Sequence, residues 1–148
     1  MSYIPIDARW YVAEIVEEIR VQGDARNVVH CNLVLNEAAS PEDAYRRAIQ
    51  LGQDGEVTYQ NPQGLTVVTK FRGLKHLGVV HDSLEHGAEL CFSEQISVPE
   101  ERIAAWLKAK EQLNVFANSQ PSKGPDYSSK DIVEEALRLA GRNLQNQD

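Results

Sequence analysis

Residues 10–21, WYVAEIVEEIRV, alternate over much of their length, with Tyr11, Ala13, Ile15, Ile19 and Val21 on one parity and Glu14, Glu18 and Arg20 on the other. Successive side chains of a strand point to opposite faces, so this spacing predicts a half-buried strand, although helical spacing also fits part of it and Glu17 interrupts the apolar set. The next run, NVVHCNLVLNE, is β-branched and alternates more clearly, with Val29, Cys31, Leu33 and Leu35 together on the expected core face. Between the two, VQGDARN supplies Gly23, Asp24 and Asn27, the residues of a short hairpin loop.

A helix is predicted next, in ASPEDAYRRAIQLGQDG. Ser40 can cap, Pro41 suits the first helical position, and Glu42 with Asp43 complements the N-terminal dipole. Ala44, Tyr45, Ala48, Ile49 and Leu51 form its apolar stripe, and Gly52 or Gly55 ends it. After a loop at TYQNPQG, LTVVTKF predicts a third strand with Leu65, Val67 and Phe71 on one face. Gly73 and Gly78 then break the period, and GAELCFSEQI resumes it as a fourth strand with Ala88, Leu90, Phe92 and Ile96 aligned. SVPEERIAAWLKAKEQL opens with Ser97 and Glu100 at capping-box spacing and predicts a second helix.

The order is therefore β-β-α-β-β-α. Strands joined by a tight hairpin are antiparallel, which points to an α+β fold, a mainly antiparallel four-stranded sheet with a helix packed on one face. Residues 1–116 are expected to form this single domain, residues 117–129 a polar linker, and residues 130–144 an additional amphipathic helix with Ile132, Val133, Ala136, Leu137 and Ala140 on one face. A helix of that length is marginal alone, so it is expected to dock on its own domain or on a partner.

At 148 residues with 42% hydrophobic and 25% charged residues, the chain can build a core without metal or disulfide staples. Cys31 and Cys91 sit in apolar runs and read as small hydrophobes, Cys31 in the core, which points to a reducing cytoplasm. No basic region followed by an apolar stretch opens the chain, and no run approaches a membrane span, so a cytoplasmic protein with no membrane partner is expected. A formal charge of -7 disfavours nucleic acid, although Lys70 to His76, KFRGLKH, form a local basic spot.

Candidate chemistry concentrates in HDSLEHG, where His81, Asp82, Glu85 and His86 lie within six positions. The nearest metal pattern, H-x-x-E-H, needs histidines four apart. His81 and His86 are five apart, about 140° round a helix and on opposite faces of a strand, so only a loop can gather them, with His30 as outside help. They remain weak metal candidates. The competing reading is a turn, with Asp82 and Ser83 opening it, Leu84 in the core and Gly87 at positive φ. No phosphate loop or dinucleotide fingerprint is present, and no cofactor is expected. Glu14 and Glu18 are expected to pair across strands with Lys70 and Arg72.

WYVAEIVEEIRV, NVVHCNLVLNEAASPEDAYRRAIQLG and FRGLKHLGVVHDSLEHGAEL together resemble the bacterial domain of unknown function 4288 family, over roughly residues 9–95. The resemblance implies bacterial origin and carries no activity, ligand or catalytic residue. Two functions stay open. One is a non-enzymatic module that binds a protein, a copy of itself or a small ligand, with Val12, Val16, Val28 and Val34 on a second sheet face needing cover. The other is a small metal-assisted or acid-base enzyme built on His81, Asp82, Glu85 and His86, with His30 or Glu14 as outside help.

Overall fold

Strand β1, Trp10–Val21, and strand β2, Asn27–Glu37, form an antiparallel hairpin in a computed structural model that describes residues 3–117 and 123–145. Their register runs without interruption from Trp10 opposite Glu37 to Arg20 opposite Asn27. Gly23 turns the hairpin at φ 80°, a conformation that costs glycine little. Helix α1, Pro41–Asp54, starts as its sequence predicts. The Ser40 hydroxyl accepts from the Asp43 N–H at 3.1 Å, and the C-cap is Gly55. Strand β3, Val57–Gln60, and strand β4, Thr66–Val79, complete one antiparallel sheet in the order β2-β1-β4-β3.

Four strands are present; the one expected at 65–71 is the first half of β4, and the one expected at 87–96 is replaced by a short strand ahead of it. TYQ belongs to β3 rather than to a loop, and β4 continues through Gly73 and Gly78 to Val79. Two bulges allow this. Glu14 faces His76 while Ile15 faces Leu74, and Val16 faces Gly73 while Glu17 faces Phe71, so Lys75 and Arg72 are extra residues on β4. Residues 88–96, expected as a strand, form none, and Leu90, Phe92 and Ile96 are exposed.

The inner face of the sheet carries the core along β1, the strand flanked on both sides. Tyr11 packs with Ala38 and Ala44, Ala13 and Ile15 with Ala48, and Ile19 and Val21 with Val67. Each fully buried branched side chain of this kind contributes about 1.5–3 kcal/mol. The helix meets the sheet through Ala44, Ala48 and Gly52, spaced four apart, while Tyr45 and Leu51 of the expected stripe are exposed. Small residues bring the helix axis close to the strands. Buried Asn36 fastens β2 to α1, donating from Nδ2 to the Ala44 carbonyl at 2.6 Å.

The parity of β2 is the reverse of the expectation. Val28, His30, Asn32, Val34 and Asn36 face inward, whereas Val29, Cys31, Leu33 and Leu35 are exposed, so Cys31 is not a core residue. Alternation groups the residues by face without saying which face is buried, and the hairpin register decides, here in favour of the more polar parity. The inward polar groups are satisfied: Asn32 Nδ2 donates to Glu17 Oε2 at 3.0 Å, which also explains the acid that interrupts the apolar set of β1. Val28 and Val34 accordingly join the core clusters, while Val12 and Val16 remain on the outer face.

The described residues divide into two compact units, one running to Cys91 and resuming at Gly124, the other Phe92–Lys123. In the first unit, Pro125 is buried and Tyr127 packs on the Ile19, Val21 and Val67 cluster beside Val28 and Tyr59. The Tyr59 hydroxyl donates to the Tyr127 carbonyl. Helix α3, Lys130–Gln145, follows, and its described side chains are almost all exposed. In the second unit, helix α2 is only Glu100–Trp106 and is shorter than expected. Its N-cap is Pro99 with no side-chain cap, and Ser97 sits at φ 59°, so the Ser97–Glu100 capping box does not form. The linker expected at 117–129 falls in part on residues 118–122, which lie outside the described residues.

Candidate functional site

His81, Asp82, Glu85 and His86 lie in the segment that leaves β4, and all four are exposed. The segment is a turn. The Ala88 N–H donates to the Glu85 carbonyl at 3.0 Å, Gly87 takes φ 86°, and Asp82 Oδ2 accepts from the Glu89 N–H at 2.9 Å. Asp82 thus spends an acceptor on the backbone. Leu84 is exposed rather than plugged into the core. Among the described residues, no group of three or more His, Cys, Asp or Glu side chains is placed to hold a metal ion. His30 is on the inner face of β2, opposite Glu17, with its ring edge-on to Tyr127 at 5.5 Å between centroids. No hydrogen bond, ion pair or ring contact among the described residues joins it to the 81–86 turn.

An open cleft of about 540 Å3 lies at the end of the sheet, lined by Gly23, Asp24, Asn61, Gln63 and Asp126 among others. Its acids are already engaged. Arg26 reaches back to Asp24 with Nε at 3.0 Å and Nη2 at 2.8 Å, and its own N–H bonds Oδ1 at 3.0 Å. The side-chain bonds first, and the backbone bond second, lower the Asp24 carboxyl to about 2. Asp126 is held low by the Ser128 hydroxyl and then by the Ser128 N–H. These carboxylates shape turns rather than await a ligand.

The Asp24–Arg26 pair has a definite pH signature. A depressed carboxyl contributes stability that is complete above its unfolded value of 3.8 and is lost as pH falls through the folded value of about 2. Arg26→Ala is therefore expected to lower the urea midpoint at pH 6 relative to the wild type. The gap should close between pH 4 and about 2. A gap that persists unchanged at pH 2 assigns the loss to packing of the arginine stem instead.

The outer face of the sheet carries an exposed apolar row on β2, although Val12 on the same face is buried. Val29 is 51% exposed, Leu33 63% and Leu35 42%, with Cys31 between them and Val16 of β1 alongside. The register sets Leu35 beside Val12, Leu33 beside Glu14, Cys31 beside Val16 and Val29 beside Glu18. Next to Val12 a Cβ at Gly78 would lie 2.6 Å from Nε2 of His76, so the imidazole lies across that glycine. Farther along, one of the expected cross-strand pairs is present, Glu18 with Arg72, whereas Glu14 lies opposite His76. Glu18 accepts from Arg72 at 2.9 Å, from Arg20 at 3.1 Å and from Asn27 at 2.7 Å, and the Asn27 bond is the largest cause that lowers its carboxyl. The apolar stripe thus ends at a charged cluster whose members are paired with one another.

Residues 10–92 match a family model described as Domain of unknown function (DUF4288). No curated protein and no solved structure matches the chain.

Proposed function

We propose, for a chain that belongs to the DUF4288 family, a protein-interaction module whose docking surface is the β2 side of the sheet. The family description names no activity, so the reading rests on this chain's own surface. The observation that carries it is the row Val29, Cys31, Leu33 and Leu35, four successive outward positions of one strand without a single charge. Scattered exposed hydrophobics are ordinary, but a contiguous apolar row on a regular strand is a surface suited to being covered.

A second feature supports the same reading. Helix α3 keeps Ile132 at 71% and Leu137 at 68% exposure, so its apolar face is not covered by the described part of its unit. A helix of 16 residues gains most of its stability from packing such a face, which fits docking on a partner. Two free, exposed cysteines support a reducing compartment, consistent with a cytoplasmic setting. Among the described residues no helix is long and apolar enough to cross a membrane.

The test is Leu33→Lys combined with Leu35→Lys. Both side chains are exposed, so the urea midpoint should move by no more than the equivalent of about 0.5 kcal/mol. Binding of an apolar fluorescent dye, and any self-association seen by sedimentation velocity, should both fall. A wild type that binds no dye and stays monomeric removes the reading, as does a double variant indistinguishable from wild type in both measurements.

A further inference from the structure

We infer that a second copy of the chain pairs edge to edge with β2, so that two four-stranded sheets become one of eight and the outward apolar rows of the two copies run side by side as one wider docking face. The inference rests on the interaction reading and widens its surface. Strand β2 is at the rim of the sheet, pairs only with β1, and is 11 residues long. Among the described residues no other strand or backbone hydrogen bond occupies its outward edge. The opposite rim strand, β3, has only four residues.

Natural sheets protect a long rim with lysine, proline, bulges or very short strands. The rim at β3 has the last of these, whereas β2 has none. Asn27–Glu37 contains no lysine, arginine, proline or glycine, and its register with β1 is unbroken, the bulges lying on the other side at β4. A long, regular rim without protection is a template for another strand.

Charge and pattern identify that strand as β2 itself. Antiparallel pairing of two copies about Asn32 matches all 11 residues and keeps the two faces in register. On the outer face Val29 then meets Leu35 of the second copy, and Cys31 meets Leu33. On the inner face His30 meets Val34 and Val28 meets Asn36. Glu37, the only charge in the strand, meets Asn27, so no like charges oppose one another. In a chain of net charge -7, a strand with a single charge at its end brings few like charges together when it meets its copy. Two-fold symmetry also closes the assembly at two copies, because each has one such rim. A seam of one strand from each copy is small for a protein interface, so a weak, reversible dimer is expected.

Sedimentation velocity and amide hydrogen exchange on the full chain, from low to high micromolar concentration, test this. The expected result is a monomer-dimer equilibrium in which alternate amides of residues 28–36, those pointing off the rim, slow as the dimer forms, while residues 57–60 do not change. Dimerisation without that slowing overturns edge pairing and leaves the interaction reading standing. A monomer at every concentration overturns the dimer, and dye binding then judges the broader reading separately. Register is tested by charge. Leu33→Lys should weaken the dimer by about tenfold because the change acts twice across the axis. Adding Cys31→Glu, which sets each carboxylate opposite the partner's new amine, should restore it. Failure of that rescue, with both variants folded by urea titration, overturns the pairing about Asn32.

Discussion

Asn61→Ala is expected to lower the stability of the first unit by about 2–4 kcal/mol, measured as a fall in the urea midpoint at constant slope. Asn61 is 1% exposed and uses both ends of its amide. Oδ1 accepts from the Gln63 N–H at 3.1 Å and the Leu65 N–H at 2.9 Å, closing the loop between β3 and β4. Nδ2 donates to the Asp126 carbonyl at 3.2 Å and so ties residues 124–128 to the same loop. Alanine removes three hydrogen bonds at once and leaves a gap under the loop. Asn61→Asp keeps the two loop bonds but turns a carboxylate oxygen toward the Asp126 carbonyl, so it should loosen mainly the 124–128 segment, read by amide hydrogen exchange. Equal loosening of the 61–65 loop amides in the two variants would show that the loop bonds contribute nothing.

The strands that were legible in the sequence are those whose register is regular. For β1 and β2 the alternation located the elements and their hairpin correctly, because no bulge interrupts their ladder. For β4 it stopped at Phe71. The inward residues of that strand are Val67, Thr69, Phe71, Leu74, Leu77 and Val79, and the two extra residues at Arg72 and Lys75 stretch the spacing from two to three. A spacing of three breaks the strand period of two, so the run looks interrupted although the chain keeps its ladder. Strand β3 was missed for a different reason. VTYQ has four mostly exposed residues, too short and too polar to show a period. Conversely, GAELCFSEQI alternates without any neighbouring strand to pair with, and alternation alone does not make a ladder.

The interaction surface was half legible. An apolar row on the second strand was visible, but the face it takes was not, because alternation shows which residues share a face and the half-polar parity Val28, His30, Asn32, Val34 and Asn36 is the one that turns inward. Register is a pairwise property. Once Val34 is set opposite Ala13 and Asn36 opposite Tyr11, the row Val29, Cys31, Leu33 and Leu35 turns outward. Asn36 and Asn32 turn inward, where Ala44 and Glu17 wait for their donors. The polar residues, rather than the apolar ones, held the information about the core face. The opposite held for HDSLEHG. Its density of titratable groups drew attention, but Gly87 at positive φ and the Asp82 bond to the Glu89 amide make that density a property of a solvated turn.

Gly52→Ala is the sharpest test of how α1 rests on the sheet. On an exposed helix the substitution would stabilise by about 1 kcal/mol, because alanine loses less backbone entropy. Here the sign reverses. Gly52 is buried in the last turns of α1, and a Cβ added there would overlap three atoms of the Phe71 ring. The ring is held in turn by the cluster of Ala13, Ile15 and Ala48 with Leu74, and the first extra residue of β4 follows it immediately. Overpacking of this kind costs about 1–3 kcal/mol, so a net loss of about 1–2 kcal/mol is expected once the propensity gain is subtracted, a fall of several degrees in melting temperature. Phe71→Leu costs stability alone, but combined with Gly52→Ala it should lose less than the sum of the two, because the smaller side chain makes room for the methyl group. Strict additivity in that cycle would separate the glycine from the ring and return it to an ordinary helix position, in which case the close approach of helix to sheet is carried by Ala44 and Ala48 alone.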